Sequence, residues 1–166
     1  MASIRNRTQK KIIMKTRVTY VIVLTLLMFS CTEKKNNSEV IQPVEFSTLS
    51  QGDLNGNGDE GIEKSKLIIT DKKVFTVLLS KMNTINDEVS PIPMVDFDEN
   101  IVLAVFDDVK SHGGHSIDIT KVTEQEDRFL VQIERLNTGG MLTVITQPYH
   151  LVMIPKTTKP IIFKEI

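Results

Sequence analysis

Six consecutive apolar residues, Ile101-Val102-Leu103-Ala104-Val105-Phe106, constrain this chain more than any other stretch. A strand with one wet face alternates apolar and polar side chains. An unbroken run of this length suits a strand buried on both faces. The segments around it are mostly β as well. Val44-Glu45-Phe46-Ser47 alternates and can open a first strand, and Lys66 to Ile69 can form a second. His115 to Ile119 and Phe129 to Ile133 both alternate, with the intervening Glu124-Gln125-Glu126-Asp127 as the hairpin turn. Leu142 to Ile145, Tyr149 to Ile154 and Ile161 to Phe163 supply the last strands, with Pro148, Pro155 and Pro160 expected at ends or edges.

One segment reads as helix. Val74, Phe75, Leu78, Leu79 and Met82 recur at helical spacing, with Thr70 as the cap and an end near Thr84. Lys72, Lys73, Ser80 and Lys81 lie on its other side, so one face packs. Ser90, Pro91 and Pro93 break the chain after it, and the stretch from Ser50 to Gly61 reads as loop. The expected fold class is α+β: sheet-dominated, about seven mostly antiparallel strands, with one packed helix.

The N-terminal thirty residues have a different purpose. Arg5, Arg7, Lys10, Lys11, Lys15 and Arg17 precede the apolar stretch Val18 to Phe29, then Ser30, then Cys31, the chain's single cysteine. A basic region, a short apolar region and a small residue before the processing point make an export signal. The apolar stretch is about a dozen residues, short of the ~20 a membrane-crossing helix needs. A small residue directly before cysteine is what lipoprotein processing leaves, with Cys31 becoming the acylated, palmitate-bearing N-terminus. Met28 and the bulky Phe29 depart from the usual lipoprotein pattern, and an ordinary cleaved signal is the alternative. A lone cysteine in an exported chain has no internal disulfide partner, whereas several acyl chains on it would anchor the protein firmly. Met14 opens a compact signal and is an alternative start. The expected organisation is a signal peptide over 1–30, a polar tether over 31–44 and one domain over 45–166. The expected address is the bacterial cell envelope, on the outer membrane.

Charge narrows the partners. Twenty Lys and Arg, less the six within the signal, leave fourteen against twenty-one Asp and Glu, a net charge of −7. That opposes nucleic acid and a polybasic membrane surface. With no tryptophan and two tyrosines, a stacked-ring carbohydrate platform is not expected either.

Two constellations could hold a metal. Asp53, Asn55, Asn57, Asp59 and Glu60 imitate the start of a calcium loop, with oxygen donors at alternate positions and Gly58 at the sixth. Lys64 then stands where a bidentate Glu is required, so the alternative is a glycine-rich turn. His112, His115 and His150 would suffice for zinc. His115 shares a strand face with Ile117 and Ile119, and His150 with Val152 and Ile154, which suits hydrogen-bonded core or rim histidines instead. Ser111 or Ser116 could enter a Ser-His-Asp triad on paper, but no nucleophile elbow supports it. No catalytic residue is expected, and no cofactor beyond calcium.

A more specific signal runs through the second half. Val95-Asp96-Phe97 leads into the apolar strand, followed by Gly113-Gly114-His115-Ser116-Ile117-Asp118-Ile119. The sequence closes with Thr143-Val144-Ile145-Thr146-Gln147-Pro148-Tyr149-His150-Leu151-Val152-Met153-Ile154-Pro155-Lys156. This rhythm resembles the C-terminal domain of the protease complex subunit PrcB family over about residues 45 to 166, with Gly56 to Glu63 also fitting longer exported members. His115 stands where that family usually has an aromatic residue, and Asp107 to Lys110 where a glycine commonly follows the strand. The resemblance implies a non-catalytic accessory lipoprotein associated with a surface subtilisin-like protease, and carries over no catalytic residues. Gly113, Gly114 and His115, with Gln147, Pro148 and Tyr149, are the candidate partner-binding residues. The alternative is that both groups specify the fold, as a turn and a core strand. A protease inhibitor and a calcium- or small-ligand-binding envelope module are the other functions kept in view.

Overall fold

The computed structural model describes residues 41–55, 57–84 and 94–166. The expected signal peptide, Cys31, the expected tether up to residue 40, Gly56 and the breakers Ser90, Pro91 and Pro93 lie outside the described residues. In chain order the elements are β1 (Gln42–Pro43), β2 (Ser47–Leu54), β3 (Ser65–Ile69), α1 (Lys72–Met82), β4 (Asn100–Phe106), β5 (Asp118–Glu124), β6 (Phe129–Glu134), β7 (Gln147–Pro155) and β8 (Ile161–Glu165). They form two four-stranded sheets, ordered β2-β7-β4-β3 and β1-β5-β6-β8. All pairings are antiparallel except β6 with β8. The fold is a sheet-dominated α+β domain.

The apolar run is β4, and its two faces enter two different cores. Val102, Ala104 and Phe106 join Phe75, Leu78 and Met82 of α1, together with Leu54, Ile69, Tyr149 and Leu151. Ile101, Leu103 and Val105 join Ile117, Ile119, Val122, Phe129, Val131 and Ile133, together with Val152 and Ile154 of β7. The β2-β7-β4-β3 sheet is therefore a middle layer, with the helix on one face and the second sheet on the other. Every residue from Ile101 to Phe106 is at most 2% exposed, which is why the run contains no polar break.

Local chemistry differs from the sequence expectation in several places. Asp71, not Thr70, caps α1: its carboxylate accepts from Lys73 N and Val74 N. Val74 points to solvent while Phe75, Leu78 and Met82 pack. The segment read as loop from Ser50 is strand up to Leu54, because pairing along β7 from Ser47↔Met153 to Leu54↔Gln147 overrides its weak local propensity. Leu142 to Ile145 forms no strand. Val144 N donates back to Leu142 O, a tight turn that breaks the extended path. The strand expected at His115 begins instead at Asp118, with His115 making an isolated bridge to Thr138. Pro148 occupies the second position of β7, a strand interior to its sheet, where its carbonyl still accepts from Asp107 N.

The strands give the domain two ends. The chain arrives at the hairpin end, where β1 pairs Gln42 with Glu124 beside the β5–β6 turn. The C-terminal ends of β2, β4, β6 and β8 and the N-terminal starts of β3, β5 and β7 gather at the opposite, loop end.

Candidate functional site

The loop end is organised by a charge that the apolar run delivers into the interior. Asp107 follows Phe106 directly and is fully buried. Arg135, just past β6, grips it with both arms of its guanidinium, Nε to Oδ2 at 2.9 Å and Nη2 to Oδ1 at 2.8 Å. Lys110 Nζ stands 3.0 Å from Oδ2 and Lys64 Nζ 3.6 Å from Oδ1. Burial pushes the Asp107 carboxyl upward, but the bonds from Arg135 and Lys110 outweigh it and hold the group well below the usual carboxylate range. The same contact raises the affinity of the Arg135 guanidinium for its proton. Arg135 also reaches Glu165 at 3.0 Å, and Lys66 reaches Glu165 at 2.7 Å, tying the two sheets together at this end.

Two loops leaving this charge cluster are zipped to each other. Lys110 and Thr146 exchange backbone hydrogen bonds at 2.7 and 3.0 Å. Gly113 N donates to Leu142 O, and Gly140 N donates to Gly113 O. Ser116 N donates to Asn137 O, while Asn137 N donates to the Ser116 hydroxyl, which itself donates to Asp118. The glycines permit this closeness. A Cβ on Gly139, whose φ is +105°, would meet the His115 ring at 2.5 Å, and one on Gly113 would meet Val144 Cγ1 at 2.8 Å. Gly113-Gly114 thus packs closely against the chain's own Gly139-Gly140.

What the zipped loops carry is unusual. All ten residues from Leu136 to Ile145 are exposed, none is charged, and five are apolar. Met141 is 99% exposed and Leu142 73%, with Leu136, Val144, Ile145 and the neighbouring Val109 also open to solvent. Single exposed apolar side chains are ordinary. Here five fall within ten residues, on a backbone held from both sides.

The other candidate residues are placed elsewhere. Gln147, Pro148 and Tyr149 are buried, so they do not form a strand-end surface. Gln147 Nε2 donates to Ile62 O and Asp107 O, and the Tyr149 hydroxyl shares a hydrogen bond with Ser50. Gly113 is buried, His115 half-buried and Gly114 exposed.

His150 pins three strands. Its Nδ1 accepts from Ile119 N at 3.0 Å, so the proton resides on Nε2, which donates to Thr48 Oγ1 at 3.0 Å. Burial lowers its pKa, against a smaller opposing effect of Asp118. Both ring nitrogens are committed to this bridge and neither faces a serine. Ser111 bonds the adjacent His112, on the exposed loop.

The calcium-like segment is divided between elements. Asp53 lies in β2, where burial pushes its carboxyl up and Thr146 and His115 partly offset it. Leu54 is in the core, Asn57 takes a left-handed turn at φ 58°, and Glu60 is buried while Asp59 is exposed. Among the described residues no three His, Cys, Asp or Glu side chains come together as a ligand group. Lys64, at the position needing the bidentate acid, bonds Asp108 at 2.7 Å. No helix among the described residues is long and apolar enough to cross a membrane.

Sequence reasoning missed both features of this end. The signal for Asp107 was present, as two acids directly after a six-residue apolar strand. The signal for the exposed run was Gly139-Gly140-Met141 ahead of Leu142 to Ile145, the latter expected as a strand. Comparison with family models, with curated proteins and with solved structures finds no match.

Proposed function

We propose that this chain is a non-catalytic accessory subunit of the cell envelope, anchored through acylated Cys31, that binds and stabilises a partner protein. The observation that carries the reading is the uncharged, exposed apolar run from Leu136 to Ile145, fixed by the zipped loops. A surface that is both apolar and preorganised loses little entropy on docking, and the exposed methionine adapts to the contact it meets. The engagement of His150, Ser116 and Asp118 with strand-tying partners favours a structural use for the residues a triad would need. The sequence resemblance to PrcB suggests a surface subtilisin-like protease as the partner.

The test is capture of tagged, anchored protein from solubilised envelope, with Cys31→Ala and Leu142→Asp as controls and mass spectrometry as the readout. A stoichiometric partner lost in Leu142→Asp and depleted in Cys31→Ala is the expected result. A clean preparation from the wild-type chain contradicts it. If the partner is a protease, its activity decides between a stabilising subunit, which preserves it, and an inhibitor, which lowers it.

A further inference from the structure

The accessory-subunit reading gives the apolar run to a protein in preference to lipid, and the topology bears on that preference. The described chain begins beside the β5–β6 turn, with Gln42 against Glu124. The surroundings of that end are charged: Glu126, Asp127 and Arg128 are exposed, and Lys159 Nζ reaches Glu124 Oε1 at 2.7 Å and Gln125 O at 2.9 Å. Met141 and Leu142 lie at the other end of the same strands. β5 alone has seven residues, so the two ends are separated by about 23 Å of strand.

The chain outside the structure therefore attaches at the end away from the apolar run. Ten residue steps from Cys31 to Ile41 reach at most about 35 Å. That reach joins the domain at its charged hairpin end, and the apolar run lies at the end that the attachment leaves free. Lipid-seeking loops gain from flanking Lys and Arg, yet this run has no charge of its own and belongs to a mature chain of net charge −7. At its base, Lys110 and Arg135 are committed to Asp107.

Resting on the accessory-subunit reading, we infer that the Leu136–Ile145 run is a docking tip at the end of the domain opposite the attachment of the anchor, and that its occupant is a protein with an uncharged apolar groove. Met141 and Leu142 enter the groove. Asn137, Thr138 and Thr143 supply a polar rim, in the pattern of an apolar centre ringed by hydrogen-bonding groups.

Site-specific photo-crosslinking of the intact anchored protein tests this. A photo-activatable residue replaces Met141 at the tip or Glu126 at the hairpin end, and adducts are identified as protein or lipid. The inference expects one defined protein adduct at position 141 and none of that species at 126. Leu142→Asp, with unchanged thermal unfolding, lowers the adduct yield roughly tenfold or more, the size of a hot-spot loss. Lipid adducts at 141 overturn the inference, as does a protein adduct at 126 without one at 141; that second result leaves the accessory-subunit reading standing. No protein adduct at either position overturns both.

Discussion

The two ends of this domain use charge in opposite ways. At the hairpin end, charged side chains stand in solvent and pair loosely: Arg128 with Asp127 and Lys159 with Glu124, each at 2.7 Å and each partly or fully open to water. Such pairs contribute little to stability. At the loop end a carboxylate is driven into the interior behind six apolar residues, and a guanidinium and an ammonium hold it there. Around it stand the part-exposed pairs Lys64–Asp108 and Lys66–Glu165, and beyond them the Leu136–Ile145 run carries no charge and exposes five apolar side chains. The hairpin end has the make-up of a solvated surface, whereas the loop end has a fixed base and an unsatisfied tip.

The largest break of this contrast is Arg135→Ala, which leaves Asp107 buried without its bidentate partner. It should cost about 3 kcal/mol by denaturant unfolding, near the low end for broken buried pairs because Arg135 is itself partly exposed. Acid should act on the same group. Its folded-state pKa is depressed, so the stability it confers is present above the ordinary carboxylate value and lost as pH falls below it. Arg135→Ala should flatten the unfolding midpoint across that acid range.

Gly139→Ala comes next. A side chain at φ +105° driven into the His115 ring should cost about 2 kcal/mol. The loss should concentrate in the zipped loops, read as faster amide exchange at Gly113 and Gly140.

His150→Ala should cost about 1–2 kcal/mol by leaving the buried Ile119 N–H without an acceptor. Because burial depresses the pKa of His150, the wild-type protein should lose stability as pH falls from the ordinary histidine value toward the folded one. Above that window the dependence should vanish, and in the variant it should be absent. An unchanged pH profile in His150→Ala would remove His150 from the account.

The smallest effects sharpen the contrast. Lys159→Ala at the hairpin end and Leu142→Asp at the tip should each shift stability by no more than about 0.5 kcal/mol, since neither side chain is buried. Only Leu142→Asp should reduce partner capture.

The sequence made some of this legible for a physical reason. The run Ile101–Phe106 could be read because burial on both faces excludes polar residues, and α1 because its buried positions keep helical spacing. β2 was hidden because its pairing with β7 comes from residues about a hundred positions away, against a local sequence rich in turn formers. The surface assigned to Tyr149 failed because alternation along β7 cannot distinguish the helix core from solvent. Gly113 and Gly114 read from the sequence as partner-binding residues or a turn, and in the structure they lie against another loop of the same chain. Their partner, Gly139-Gly140, becomes visible only once β5 and β6 bring the two loops together.

Amide hydrogen exchange on the isolated, lipid-free domain tests the central claim most directly, because docking by the loop end requires its backbone to be fixed before any partner arrives. The amides of Gly113, Gly140 and Thr146, which bond across the two loops, should exchange far more slowly than those of Met141 and Thr143 at the tip. Equally fast exchange at all five would show an unzipped loop with no preformed surface to dock.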